Sequence, residues 1–288
     1  MSKLNTQLKT MQSELTQYVV SQLESGLSWS KCWESSAAQG LPYSTATGKS
    51  YNGSNLFWLW ATAQKKGYHS NEWGTYNAWK KAGGQVQKGS KSTKIMFYKP
   101  VYKQENGEQV FSHAALRAYS LFNRDQVDNL PDNVDTSSDG FMCDTGSLFE
   151  YTTAQDIKIN YSTRAAYNPI LDRIILPKSF TDEAGGWSTV AHEIIHSTGH
   201  CTRLDRAMSQ DKHEYSYEEL IAELGALFLC SALGLSTDDS KEQSAAYCAS
   251  WAKVLKSNPD WIWKAAGEAA KAMTFVMSHI NTEQEAAA

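Results

Sequence analysis

The polar and apolar positions of the chain change period several times, and each change marks an element. An amphipathic opening stretch predicts a helix over about Thr6–Gly26, and the apolar run around Phe57-Trp58-Leu59-Trp60 predicts a second over Ser54–Lys66. Two short extended segments, Gln85-Val86 and Ile95-Met96-Phe97-Tyr98, flank Gly89 and read as a hairpin. From Asn129 to Ser147 the chain turns to Asp, Ser, Thr, Asn and Gly with little to pack, the composition of a linker that leaves geometry variable. Beyond it, Leu148–Ile157 predicts a helix, and Arg173-Ile174-Ile175-Leu176-Pro177 a short strand ending at proline. A helix of three to four turns fits between Gly185-Gly186 and Gly199, and Ser216–Leu229 has helical spacing. Two C-terminal helices follow at about Lys241–Ser257 and Asp260–Ile280, whose Trp251, Trp261, Trp263 and Phe275 predict scaffold packing.

These elements predict an α+β fold class in two domains: a mixed α/β N-terminal domain over residues 1–130, a linker over 131–147, and a mostly helical C-terminal domain with a small sheet over 148–288. A chain of 288 residues is long enough for two hydrophobic cores.

The net charge of −4 conceals an asymmetry. Residues 1–130 carry 15 Lys and Arg against 8 Asp and Glu, net +7, whereas residues 131–288 carry 12 against 23, net −11. A basic front suits a phosphate backbone, because released counterions supply much of the affinity. Six of the ten tryptophans also lie there, at 29, 33, 58, 60, 73 and 79, and aromatics among lysines can stack bases. Most of those rings belong to apolar runs and are expected in the core. The candidate DNA contacts are Lys49, Tyr51 and Asn52 in a glycine-rich turn, Trp73, and Lys88, Lys91 and Lys94 around Gly89.

The N-terminus lacks the apolar core of a signal peptide, and no stretch has the apolar length to cross a membrane. Five cysteines, at 32, 143, 201, 230 and 248, have no paired spacing, which suits a reducing cytosol. A bacterial cytoplasmic location with no membrane partner is expected.

The chemistry concentrates in His192-Glu193-Ile194-Ile195-His196. Residues four apart share a helix face, so His192 and His196 can hold one ion, and Glu193 lies close enough to act as general base. The third ligand requires a choice. The longer pattern that ends in a third histidine has Thr202 at that position, and His200 comes two residues too early. In Glu218-Glu219-Leu220-Ile221-Ala222-Glu223, Glu219 ranks ahead of Glu218, and Glu223, one turn on, is placed to orient a ligating histidine. Two histidines and a carboxylate leave one tetrahedral position open, as in catalytic zinc sites; manganese fits the same donors. Candidate donors to a developing oxyanion are Tyr215, Tyr217, His213 and Arg203, with Tyr167 a further cleft-lining residue. Hydrolysis of nucleic acid is disfavoured, since phosphodiester chemistry usually takes two metals and one ligand set is present.

The run His192–His200 continues through Arg203-Leu204-Asp205-Arg206, Glu218–Ala226 and Ala245-Ala246-Tyr247 to Ser250-Trp251 and Val254-Leu255. In the front half stand Pro42–Asn55, Gly67-Tyr68, Trp73-Gly74-Thr75-Tyr76, Gly83–Lys91 and Leu121–Gln126. Together these resemble the ArdC-type antirestriction proteins over nearly the whole chain. Asn71 and Gln87 depart from the proline or arginine common in that family, and Gln87 removes one phosphate-binding candidate. The resemblance implies an N-terminal single-stranded-DNA-binding domain and a C-terminal zincin-like metallopeptidase domain. It also implies an origin on conjugative plasmids or other mobile elements and protection of incoming DNA from restriction. Single-stranded DNA is the implied partner, with double-stranded DNA and a host protein or peptide substrate as further candidates.

Overall fold

A computed structural model describes residues 2–25, 27, 33, 39–105, 108–130, 146–180, 183–206, 212–235 and 245–280. The segment expected to act as a linker lies largely outside the described residues.

Helix α1 (Lys3–Glu24) starts where the Ser2 side chain accepts a hydrogen bond from the Asn5 backbone N–H, and it buries Met11, Leu15, Val19 and Leu23. Their spacing of four puts them on one stripe. A four-stranded sheet follows, in the order β1 (Tyr43–Ser44), β2 (Glu72–Gly74), β5 (Glu108–Asn123), β4 (Thr93–Glu105). β1 and β2 are parallel and the remaining pairs antiparallel. Helix α2 (Ser54–Lys66) packs against it and ends at Gly67, whose φ of +67° suits glycine.

Helix α3 (Tyr76–Lys81) leads into β3 (Gln85–Val86), which pairs with β6 (Val127–Asp128) in a separate two-stranded sheet. The hairpin expected between β3 and the segment at Ile95 therefore does not form. β4 is taken along its whole length by β5, a ladder far longer than Gln85-Val86 could offer. Gly89 instead serves a tight turn in which the Ser90 N–H donates to the Gln87 carbonyl at 3.1 Å.

In the second half, α4 (Gly146–Ala154) precedes a three-stranded sheet ordered β7 (Lys158–Ser162), β9 (Arg173–Pro177), β8 (Ala166–Asn168). Helices α5 (Glu183–Ser197), α6 (Lys212–Ala232), α7 (Ala245–Ser257) and α8 (Trp261–Ile280) complete the described chain. The architecture is thus α+β, with a mixed front half and a helical back half carrying a small sheet.

Both halves contribute to one core. Leu15 and Val19 of α1 and Phe57 and Trp60 of α2 join Ile194, Phe228, Ala266 and Val276 in a single buried cluster. The Phe228 ring lies 5.5 Å from Trp60 and 6.0 Å from Phe57. Hydrogen bonds cross the same seam, among them those from Thr16 Oγ1 to the Pro259 carbonyl at 2.6 Å and from Ser54 Oγ to the Trp263 carbonyl at 2.7 Å. α8 meets its neighbours through Ala265, Ala266, Ala269, Ala270 and Ala272, all fully buried, so the backbones approach closely.

α5 and α6 also approach closely, and Gly225 sets the distance. A Cβ at this position would stand 2.7 Å from Cγ2 of Ile195 and 2.9 Å from its Cγ1. Ile195 is β-branched and stiff in a helix, so it has little room to yield. Gly225→Ala should therefore destabilise by about 1–3 kcal/mol despite the gain in helix propensity, as read by chemical denaturation. A more stable variant would show that the two helices can separate freely.

Candidate metal centre

α5 begins two residues before Gly185-Gly186, so these glycines lie inside its first turns rather than ahead of it. Gly186 is needed there because the Phe180 ring lies over the helix, and a Cβ would sit 3.0 Å from its Cγ. The helix ends at Ser197, and the chain folds back through a compact turn. There Gly199 N–H donates to the His196 carbonyl at 2.9 Å, and Arg206 N–H to the Gly199 carbonyl at 3.0 Å.

One α-helical turn brings the His192 and His196 rings together, with their Nε2 atoms 3.1 Å apart. Glu219 of α6 faces them, one oxygen 3.5 Å from His192 Nε2 and the other 3.4 Å from His196 Nε2. Donors held about 2.0–2.1 Å from a tetrahedral ion lie roughly 3.3–3.4 Å from one another, so the three side chains fit a zinc-sized cation. Burial works to raise the Glu219 pKa, but hydrogen bonds and charge from the two histidines prevail and hold it well below the carboxylate range.

Glu193 is 6 % exposed. Burial raises its pKa above the ordinary glutamate value, opposed by the nearby histidines and by the Tyr167 backbone N–H that donates to its carboxylate. β8 thus fixes the candidate base from the sheet side.

The carboxylate behind His196 is that of Glu218. Glu218 Oε1 lies 3.3 Å from His196 Nδ1. Arg206 grips the same carboxylate with two hydrogen bonds, 2.7 Å from Nη2 to Oε1 and 3.0 Å from Nε to Oε2. It also donates to Thr198 Oγ1 at 2.7 Å and to the Ile195 carbonyl at 2.9 Å. Glu218 and Glu219 are adjacent on α6, so they point to successive positions around it: one meets the metal face of His196 and the other its back. Burial tends to lower the His196 pKa, yet hydrogen bonds to Glu218 and Glu219 raise it to about 9.

The candidate donors separate. Tyr215, one turn before Glu219, hydrogen-bonds its carboxylate; partial burial and the charges of Glu219 and Glu193 push its pKa up to about 12, so it stays a hydroxyl donor. Tyr217 turns away, its ring 5.1 Å from Trp261 of α8. Arg203 is also committed elsewhere: with a side chain 2 % exposed, it pairs with Asp172 and donates to the Ser197 carbonyl at 2.7 Å and the Tyr167 hydroxyl at 3.1 Å. The His213 side chain lies outside the described residues. Tyr167 lines this network rather than the ion face, donating its hydroxyl to Asp172 at 2.7 Å. Burial works against the Asp172 charge, but Arg203 and Tyr167 together hold its pKa below the usual value.

Of the candidate DNA contacts, Lys49, Asn52, Lys88 and Lys91 are exposed. Tyr51 is half-buried, its hydroxyl 3.4 Å from the Trp73 carbonyl, and half-buried Lys94 donates to Ser120 Oγ. Trp73 is no contact at all. It is fully buried in β2 among Leu59, Ala63, Ile95 and Leu121, because an apolar ring in a sheet flanked by a helix is core.

Residues 9–127 match the family model of the N-terminal domain of anti-restriction factor ArdC, and residues 145–268 that of a zincin-like metallopeptidase. Crystal structures of the antirestriction ArdC protein from the R388 plasmid share this fold. The metal-free form is 36 % identical with a TM-score of 0.73, covering 93 % of this chain and 97 % of that one. The Mn(II)-bound form is 35 % identical with the same TM-score, covering 94 % and 98 %. The DNA primase TraC of Escherichia coli is 29 % identical over 294 residues, 94 % of this chain but 27 % of the primase, so the chain spans about a quarter of that relative. Protein y4eC of Sinorhizobium fredii is 28 % identical over 270 residues, covering 88 % of this chain and 87 % of y4eC.

Two measurements follow from this geometry. Glu218→Ala should weaken metal binding about 10–100-fold with all three ligands intact, in competition against a chromophoric chelator; unchanged affinity would mean that His196 needs no partner. Because the folded Asp172 pKa is depressed, its pairing contributes stability above the unfolded value of about 3.9, and this is lost as pH falls through the folded value. Asp172→Asn should thus cost about 2–4 kcal/mol at neutral pH by leaving Arg203 buried and unpaired. The difference from the parent chain should shrink in acid; a difference independent of pH would rule out the ion pair as its source.

Proposed function

The chain belongs to the ArdC family of antirestriction proteins, and on that premise we propose that it is a mobile-element protein that binds incoming DNA, preferring single strands, and protects it from host restriction. The C-terminal half then carries a metallopeptidase-type centre. The observation that carries this reading is the joining, in one chain, of a front half of net charge +7 to the cluster of His192, His196 and Glu219 beside Glu193. Lys49, Asn52, Lys88 and Lys91 are exposed, where phosphates could reach them. No helix among the described residues is long and apolar enough to cross a membrane.

His192, His196 and Glu219 would hold the cation, zinc by donor set and size, with manganese the alternative suggested by the Mn(II)-bound R388 protein. When bound, such an ion supplies a Lewis acid and brings water into the range of a neutral-pH nucleophile. Glu193, buried and raised in pKa, accepts a proton at its carboxylate and returns it to a leaving amine. Tyr215, protonated at neutral pH, donates its hydroxyl to the negative charge developing on the substrate carbonyl oxygen. β8 is an edge strand beside α5, where an extended peptide could add to the sheet.

That complete set of proton-handling groups favours a second reading, in which the protein is a metalloprotease that DNA binding brings to a host protein. Glu193→Gln separates the two in a restriction-protection assay on transferred DNA. The first reading expects protection within a few-fold of the parent chain. Lost protection with unaltered DNA binding would transfer the activity to proteolysis.

A further inference from the structure

The longest ladder in the molecule runs outward from its body. β4 and β5 pair from Thr93 opposite Leu121 to Glu105 opposite Glu108. Only the end near Thr93 is built into the core, through Ile95, Met96 and Leu121. From Tyr98 to Glu105 on β4 every side chain but that of half-buried Val101 is exposed, as are those from Gln109 to Ala114 on β5. Seven residues beyond Tyr98 give an arm of roughly 20 Å.

A two-stranded ribbon is marginal in water, and exposed aromatic patches on a protein generally mark a binding surface. From Tyr98 outward this ribbon carries three large rings in the open: Tyr98 is 62 % exposed, Tyr102 54 % and Phe111 57 %. They share a face. Alternation along β4 puts Tyr98, Pro100 and Tyr102 on one side, and Phe111 stands opposite Tyr102 with ring centroids 6.2 Å apart. The other side bears Lys99, Lys103 and Arg117, next to Phe97 and Tyr119 stacked at 5.0 Å. Lys103 pairs with Glu105 at the tip, whereas among the described residues Lys99 and Arg117 have no acidic partner.

We propose that this arm is the element that takes hold of single-stranded DNA. Bases stack on Tyr98, Tyr102 and Phe111, and Lys99, Lys103 and Arg117 reach past the edges of a ribbon two strands wide to the phosphates. The inference rests on the single-strand reading given above and assigns it a surface. Rings suit any base because each has a π-face, and cations suit a polyanion. A protein partner is the poorer fit, since lysine is depleted in protein interfaces and here it lines the arm.

The test uses the full-length chain and a labelled oligothymidylate, followed by fluorescence anisotropy across a salt series. Replacing the rings together (Tyr98→Ala, Tyr102→Ala, Phe111→Ala) should weaken binding about tenfold or more at every salt concentration, with the salt slope unchanged. Replacing the cations together (Lys99→Gln, Lys103→Gln, Arg117→Gln) should make the logarithmic slope shallower by about 2, at roughly 0.7 per phosphate. All six positions are exposed, and a thermal melt checks that both variants keep the parent fold. If the parent binds and both variants stay within about twofold of it, the arm assignment is overturned and the aromatic face is left to a protein partner. A parent chain that does not bind the strand overturns the single-strand reading itself, and the arm with it.

Discussion

The closeness of α5 to α6 is the constraint on which the centre depends. One helix supplies two histidines and the other supplies the carboxylate, and in the ligand plane they meet through Glu219–histidine contacts of 3.4 and 3.5 Å. Their separation is set one layer below, where Gly225 lets Ile195 lie against the α6 backbone. Arg206 then ties the end of α5 to α6, holding the Ile195 carbonyl and Glu218 at once. A cation site needs its donors within a few tenths of an ångström of their places, and here van der Waals contact and one guanidinium provide that precision.

Adjacent residues on α6 divide the work on His196. Glu219 meets the nitrogen that would hold a cation, and Glu218 holds the opposite nitrogen of the same ring. A histidine held from behind has its tautomer and its angle fixed, and its basicity toward an ion is raised. Glu218 can carry this charge in a buried place because Arg206 neutralises it there.

The sequence displays what depends on local spacing and conceals what depends on long-range pairing. Helical period put His192 and His196 on one face, and Ser54–Lys66 was legible to the residue from its apolar run. Glu219 could be ranked first among nearby carboxylates, but Glu218 could not be seen as the orienting group, since that requires the angle at which α5 meets α6. Arg203 and Arg206 stand three residues apart in one motif, yet one buttresses Asp172 and the other Glu218, a division decided by the turn between them. Trp73 looked available as an aromatic in the basic front half, and only the partners of β2 reveal it as core. The β4–β5 arm escaped notice altogether. Its outer residues alternate without a buried face, so the usual contrast of apolar and polar sides is missing.

The seam between the halves has a consequence for how such a protein can be inherited. Two family models tile the chain as though it were a pair of exchangeable parts. Yet Phe57 and Trp60 from the first stretch close over Phe228 from the second, and α1 is seated on the final helices through Thr16 and Pro259. Recombination that swapped either stretch for a distant counterpart would have to match those ring contacts across the join. Fusion that keeps both stretches together faces no such restriction, and in one much longer primase about a quarter of the length matches 94 % of this chain, both stretches side by side.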